Sequence, residues 1–141
     1  MKILLAVDGS SFTKRMLAYL AAHDEWLGGG RHEYTVLNTV APVPARAAAV
    51  IDRDTLKAYY AETSEAVFKP IRTFFKKQGI EAGFVGKVGH APDVIAKTAD
   101  TGDFDLLVMG SHGHGALGNL VMGSVATKVL SACKTPVLLI R

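Results

Sequence analysis

DLLVMGSHGHGALGNLVMGSVATKVLSAC, residues 105 to 133, carries the densest structural information in the chain. It opens on DLLVMG, a nearly unbroken apolar run, which reads as a strand buried on both faces. SVATKVLSAC at the other end has the spacing of a helix. Between the two lie five glycines, at positions 110, 113, 115, 118 and 123, and two histidines. A buried strand that feeds a loop and then a helix belongs to a parallel sheet with helices on both faces.

The rest of the chain repeats the alternation. KILLAV (2–7), YTVLNTV (34–40), EAGFVGKV (81–88) and PVLLI (136–140) read as four further strands, the first and last of them again almost continuously apolar. FTKRMLAYLAAHDEWL reads as a helix capped by Ser10 or Ser11, with Met16, Leu17, Leu20 and Leu27 on one side and Gly28 to Gly30 ending it. Trp26 is expected to pack along that helix. A second helix spans about Asp54 to Gln78 with Leu56, Tyr60, Val67, Ile71 and Phe74 or Phe75 at helical spacing, a kink expected at Pro70, and Gly79 as its stop. Pro92 starts a third helix. APVPARAAAVI (41–51) is expected to be a mobile loop.

Five strands in alternation with helices predict an α/β chain of one domain, residues 1–141, with an open five-stranded parallel sheet and right-handed crossovers. The expected strand order is 3-2-1-4-5, with 2-1-3-4-5 as the equivalent flavodoxin-like form. Ligands in such sheets sit where the order reverses, outside the carboxyl ends of the strands. In the 3-2-1-4-5 order the reversal falls between the first strand, which ends in AVDGS, and the fourth, which ends in the glycine loop.

Composition narrows the partners. No apolar run reaches the roughly 18 residues of a membrane span, and ILLAV stops at Asp8, short of a signal-peptide core of about 7 residues. A single cysteine, Cys133, excludes an internal disulfide and reads as core filler in a reducing compartment. The expected location is the cytoplasm. A net charge of +3 is too small to suggest nucleic acid. All 13 acidic residues lie at or before Asp105, so the C-terminal segment would tolerate an anionic ligand.

Several chemistries compete for the glycine loop. GHGALG (113–118) is a literal G-x-G-x-x-G, but no acidic residue follows it to hold a ribose. GNLVMGS has glycines at P-loop spacing and lacks the lysine. His112, His114 and His90 offer no third ligand at a convincing metal spacing, and backbone hydrogen bonding is the simpler fate of His112. The spacing that remains is Gly110, Gly113, then Gly123 and Ser124, which brings backbone close to an anion at both ends of the loop and places Ser124 at a helix N-terminus. An ordinary helix cap is the competing reading of Gly123 and Ser124. Asp8 likewise fits either ligand contact or a cap on the Ser10 turn.

With these residues in place the whole chain resembles the universal stress protein family. Gly110, Gly113, Gly123 and Ser124 match that family's ATP-binding signature, and ILLAVDGS, VGHAPDVI and CKTPVLLIR resemble its first strand, third crossover and closing strand. The resemblance implies an adenine nucleotide α-hydrolase-like fold with ATP, with or without Mg2+, between the tips of strands one, two and four. By position, Ala6, Val7 and Asp8 would line the adenosine side, Thr39 would meet adenine through its backbone, and Met109 and Gly110 would pack near the ribose. Gly113, Gly123, Ser124, Val125 and Ala126 would embrace the phosphates. Thr39 stands where an aliphatic residue is common and Ala126 where a hydroxyl can occur.

The implied function is an ATP-binding stress-response or signalling module. A nucleotide-free protein-interaction module of the same fold is the alternative, and an adenylyl-transferring or pyrophosphate-cleaving enzyme a third. DGSSF matches no motif of such enzymes, and neither a nucleophile–base pair nor a metal ligand set is evident, so at most slow ATP hydrolysis is expected. The resemblance implies a homodimer, and PVLLI, as an exposed edge strand followed only by Arg141, points to pairing there. Neither nucleic acid nor membrane is an expected partner.

Overall fold

A computed structural model describes residues 1–28, 30–115 and 119–141. Gly29, and Gly118 of the G-x-G-x-x-G match, lie outside the described residues. Five parallel strands, β1 (Lys2–Ala6), β2 (Glu33–Val40), β3 (Ala82–Val88), β4 (Leu106–Gly110) and β5 (Val137–Ile140), form one sheet in the order β3-β2-β1-β4-β5. This is the expected order, and it sets the tips of β1 and β4 side by side.

The apolar strands divide the core into two layers. Ile3, Leu5, Val36 and Val108 face helices α1 (Ser11–Ala22) and α4 (Arg53–Gln78), while Leu4, Leu37, Leu107 and Met109 face α5 (Ala91–Thr101) and α6 (Ser124–Ala132). Alternate side chains of β1 enter opposite layers, as the two-residue period of a strand requires. Among the described residues, no helix is long and apolar enough to cross a membrane.

Several local expectations need correction. The first helix breaks at His23, whose backbone leaves helical geometry (φ −118°, ψ 39°), and a separate turn, α2 (Asp24–Leu27), follows. The His23 ring sits 2.8 Å from the Tyr19 carbonyl and stacks on the Tyr19 ring, side-chain contacts that the apolar spacing does not encode. Trp26 is 44% exposed on that turn and does not pack into the core. Segment 41–51 is not a featureless loop. It contains a helical turn, α3 (Ala45–Ala48), and the Tyr60 hydroxyl of α4 accepts from the Val43 N–H at 2.8 Å. Helix α4 runs through Pro70 as one element, and its buried stripe is Ser64, Phe68, Ile71 and Phe75, so only its C-terminal half lies on the sheet. Gly79 ends it in the left-handed region, φ 66°. Helix α6 begins one residue earlier than a Ser124 cap would place it. Gly123 is the N-cap and Ser124 the first helical residue.

A carboxylate fastens the approach to β5. Asp100, on α5, accepts from the backbone N–H groups of Lys134 and Thr135 at 3.0 and 2.9 Å and from the Thr135 hydroxyl at 2.8 Å. The Lys134 and Thr135 donors hold its carboxyl down to about 2, below the ordinary 3.8. Because the folded value is the lower one, the carboxylate's contribution to stability is complete above 3.8 and disappears as pH falls toward 2. Asp100→Ala is therefore expected to melt at a lower temperature than the parent near neutral pH. The gap should close as melting is repeated between 3.8 and about 2, and a gap independent of pH would contradict the assignment.

Candidate functional site

The tip of β1 is built by short polar ties. Val7 extends the ladder through its N–H to the Leu37 carbonyl at 2.9 Å, and its own carbonyl accepts from Asn38 Nδ2 at 2.9 Å. Asn38 is buried and accepts in turn from the Ser64 hydroxyl of α4 at 3.0 Å. After Val7 the chain turns at Gly9 (φ 78°), and Asp8 Oδ1 accepts from the Ser10 N–H at 2.8 Å and the Thr13 hydroxyl at 3.0 Å. The cap reading of Asp8 is thus a fact of the fold. It leaves Oδ2 free to face the loop after β4.

That loop closes against β1 and α6. Gly123 donates its N–H to the Ser111 carbonyl at 2.7 Å, which fixes the start of α6 beside the end of β4. The His112 ring bridges Ser111 Oγ at 2.8 Å and the Leu120 carbonyl at 2.7 Å. A carbonyl can only accept, so Nε2 carries the proton there and Nδ1 receives the serine hydroxyl. His114 donates from Nε2 to the Asp8 carbonyl at 2.8 Å, tying the two strand tips together. Both rings are loop fasteners, in line with the backbone-bonding reading. Among the described residues no group of three His, Cys, Asp or Glu side chains is placed to hold a metal.

The signature glycines owe their identity first to packing. A Cβ at Gly110 would lie 2.6 Å from Phe12 Cβ, one at Gly113 would lie 2.7 Å from Asp8 Oδ2, and one at Gly123 would lie 3.1 Å from both the Ser111 oxygen and His112 Cα. Gly123 has an ordinary φ of −72°, so space and not backbone freedom demands glycine there.

Between the tips of β1, β2 and β4 and the start of α6 lies a cleft of about 280 Å³. Ala6, Val7, Asp8, Thr39, Met109, Gly110, Gly113, Gly123, Ser124, Val125 and Ala126 all line it. At one end Leu37, Ala91 and Ile95 make an apolar wall. Thr39 Oγ1 is buried there without a hydrogen-bond partner among the described residues. At the other end α6 presents its first turn. Its first internal bond runs from the Thr127 N–H to the Gly123 carbonyl, so the N–H groups of Ser124, Val125 and Ala126 have no partner in the helix. No acidic residue occupies that turn. Sequence reasoning missed Thr13, Asn38, Ala91, Ile95 and His114 as builders of the cleft. Asn38 had a signal, a lone amide inside the apolar strand YTVLNTV.

The universal stress protein family model matches residues 1–141. The chain belongs to the universal stress protein family. A family member from Thermus aquaticus is 32% identical over 139 residues, covering 99% of this chain and 97% of its own. A second, from Synechocystis sp., is 30% identical over 140 residues and covers 99% of this chain, but this chain spans only 42% of that longer protein. The solved structure of the universal stress protein from Archaeoglobus fulgidus in complex with dAMP is 26% identical, with a TM-score of 0.65 over 100% of this chain and 98% of its own.

Proposed function

We propose that the chain binds an adenine nucleotide, ATP, in the cleft between the tips of β1, β2 and β4, and serves as a stress-response or signalling module. The observation that carries this reading is the uncommitted first turn of α6 facing the Asp8 tip of β1. Three N–H groups at the positive end of a helix dipole converge on one spot with no acidic side chain of their own, an arrangement suited to phosphate oxygens. The apolar wall of Leu37, Ala91 and Ile95 suits a base, and the Thr39 hydroxyl offers a bond to its edge. The dAMP complex of the Archaeoglobus fulgidus relative supports an adenine nucleotide. Asp8, the carboxylate of the cleft, already serves Ser10 and Thr13, which favours binding over rapid turnover. Mass spectrometry of small molecules released from the purified protein, followed by titration with ATP, AMP and GTP, tests the reading. Preference for ATP or AMP over GTP is expected. Failure of all three to bind would favour the nucleotide-free interaction module.

We also propose a homodimer through β5. This strand lies at the edge of the sheet and carries no charge, whereas the opposite edge, β3, is interrupted by Gly83, Gly86 and Lys87. The Pro136 carbonyl accepts from Leu107 of β4 and the Ile140 carbonyl from Ser111 just beyond it, so the alternation of a parallel ladder turns the backbone groups of Val137 and Leu139 outward. Leu139→Pro removes one outward N–H without breaking a bond to β4. Light scattering should give a dimeric mass for the parent and a monomeric mass for Leu139→Pro. A monomeric parent, or an undiminished mass in the variant, would contradict the interface.

A further inference from the structure

On the α1 side of the loop after β4, a second cleft of about 530 Å³ opens at the N-terminus of α1. Ser10, Ser11, Phe12, Arg15, Ser111 and Arg141 line it, and His112 and His114 form the wall it shares with the nucleotide cleft. Two independent features point to a ligand. The first is the helix end: Ser10, the N-cap, makes no side-chain cap bond, the first turn holds no acidic residue, and the Asp8 carboxylate of the preceding turn reaches only the Ser10 N–H and the Thr13 hydroxyl. The first backbone bond into the helix comes from the Lys14 N–H, so those of Ser11, Phe12 and Thr13 are left without an acceptor among the described residues. The second is the Ser10 hydroxyl itself. Ser10 is only 5% exposed, and its Oγ is buried with no hydrogen-bond partner among the described residues. A buried hydroxyl left unpaired costs about 1 to 3 kcal/mol, which a ligand oxygen would recover.

Charge sets the ligand's sign. The Arg15 guanidinium is held 4.8 Å over the Phe12 ring, and that ring lies 4.9 Å from His112. Neither Arg15 nor Arg141 has a carboxylate within ion-pair distance among the described residues. Asp8, on the neighbouring turn, lines the nucleotide cleft and not this one. We propose that this second cleft is an anion site for a phosphoryl dianion, either inorganic phosphate or the phosphate of a small organic monoester. The Arg15 guanidinium, a helix end and a serine hydroxyl match the several acceptor oxygens and negative charge of that group. The cleft's volume leaves space beyond a bare phosphate for an organic substituent.

The proposal does not depend on the nucleotide reading, and calorimetric titration separates them. Inorganic phosphate is titrated into the protein with and without saturating ATP, and into Arg15→Gln and Ser10→Ala. Phosphate should bind in the presence of ATP with an affinity within about threefold of that in its absence. Arg15→Gln, an exposed substitution that leaves the core untouched, should weaken it at least about tenfold, and Ser10→Ala at least about threefold. Phenyl phosphate in place of inorganic phosphate identifies the source: tighter binding points to a monoester, weaker binding to free phosphate. Should ATP fail to bind, the nucleotide reading falls while the phosphate titration still reports on this cleft. Absence of phosphate binding at millimolar concentration, or binding that ATP displaces and Arg15→Gln leaves unchanged, would overturn the proposal.

Discussion

Gly123→Val is expected to weaken nucleotide binding at least about 100-fold, a loss of about 2.8 kcal/mol or more, while the sheet stays folded. A side chain at this position meets the Ser111 carbonyl oxygen and His112 Cα, both backbone atoms at 3.1 Å from a Cβ, and neither can rotate away. Relief requires the start of α6 to move off the end of β4, and the bond between the Gly123 N–H and the Ser111 carbonyl goes with it. The N–H groups of Ser124, Val125 and Ala126 then no longer converge on the cleft. Gly123→Ala should fall between parent and Val. Ser124→Ala, which keeps the backbone donors and removes one hydroxyl, should cost no more than about 1 to 3 kcal/mol in ATP affinity. Titration with ATP and a circular dichroism spectrum for each variant check the order. Gly123→Val with unchanged affinity would show that α6 does not hold the phosphates.

Asn38→Ala should cost about 2 to 5 kcal/mol of stability, because it strands two buried groups at once, the Val7 carbonyl and the Ser64 hydroxyl. The space is too tight for an easy rearrangement: a Cβ at neighbouring Gly86 would lie only 2.8 Å from Ser64 Oγ. Asn38 also pins the tip of β1 from behind, so nucleotide affinity should fall along with stability. Urea unfolding measures the first effect, and ATP titration below the unfolding midpoint measures the second. A loss of stability with full ATP affinity would mean that Asn38 supports the sheet and not the site.

How far such features can be read from sequence depends on the range of the interaction. The number of strands and the two-layer core follow from apolar runs and their alternation with helices, which are local patterns, and the glycine spacing marks a loop that belongs at the sheet's reversal point. The residues gathered by resemblance to the family line one cleft because strand tips converge there. The reasons behind individual residues are less visible. Gly110 must be small because of Phe12, and Gly113 because of Asp8, about a hundred positions away in sequence. The tie from Val43 to Tyr60, which orders segment 41–51, and the Asn38–Ser64 bond are likewise pairings across elements that no window of sequence contains. The break at His23 depends on a ring stacking over Tyr19, where apolar spacing alone continued the helix to Leu27.

The central claim, a nucleotide held between the tips of β1, β2 and β4 and the start of α6, is tested most directly by amide chemical shifts recorded as ATP is added to isotopically labelled protein. The largest changes are expected at Asp8, Thr39, Gly113, Ser124, Val125 and Ala126, with the edge strand β3 unmoved. Saturating ATP that leaves these amides unshifted, or shifts a set of residues elsewhere on the sheet, would contradict the account.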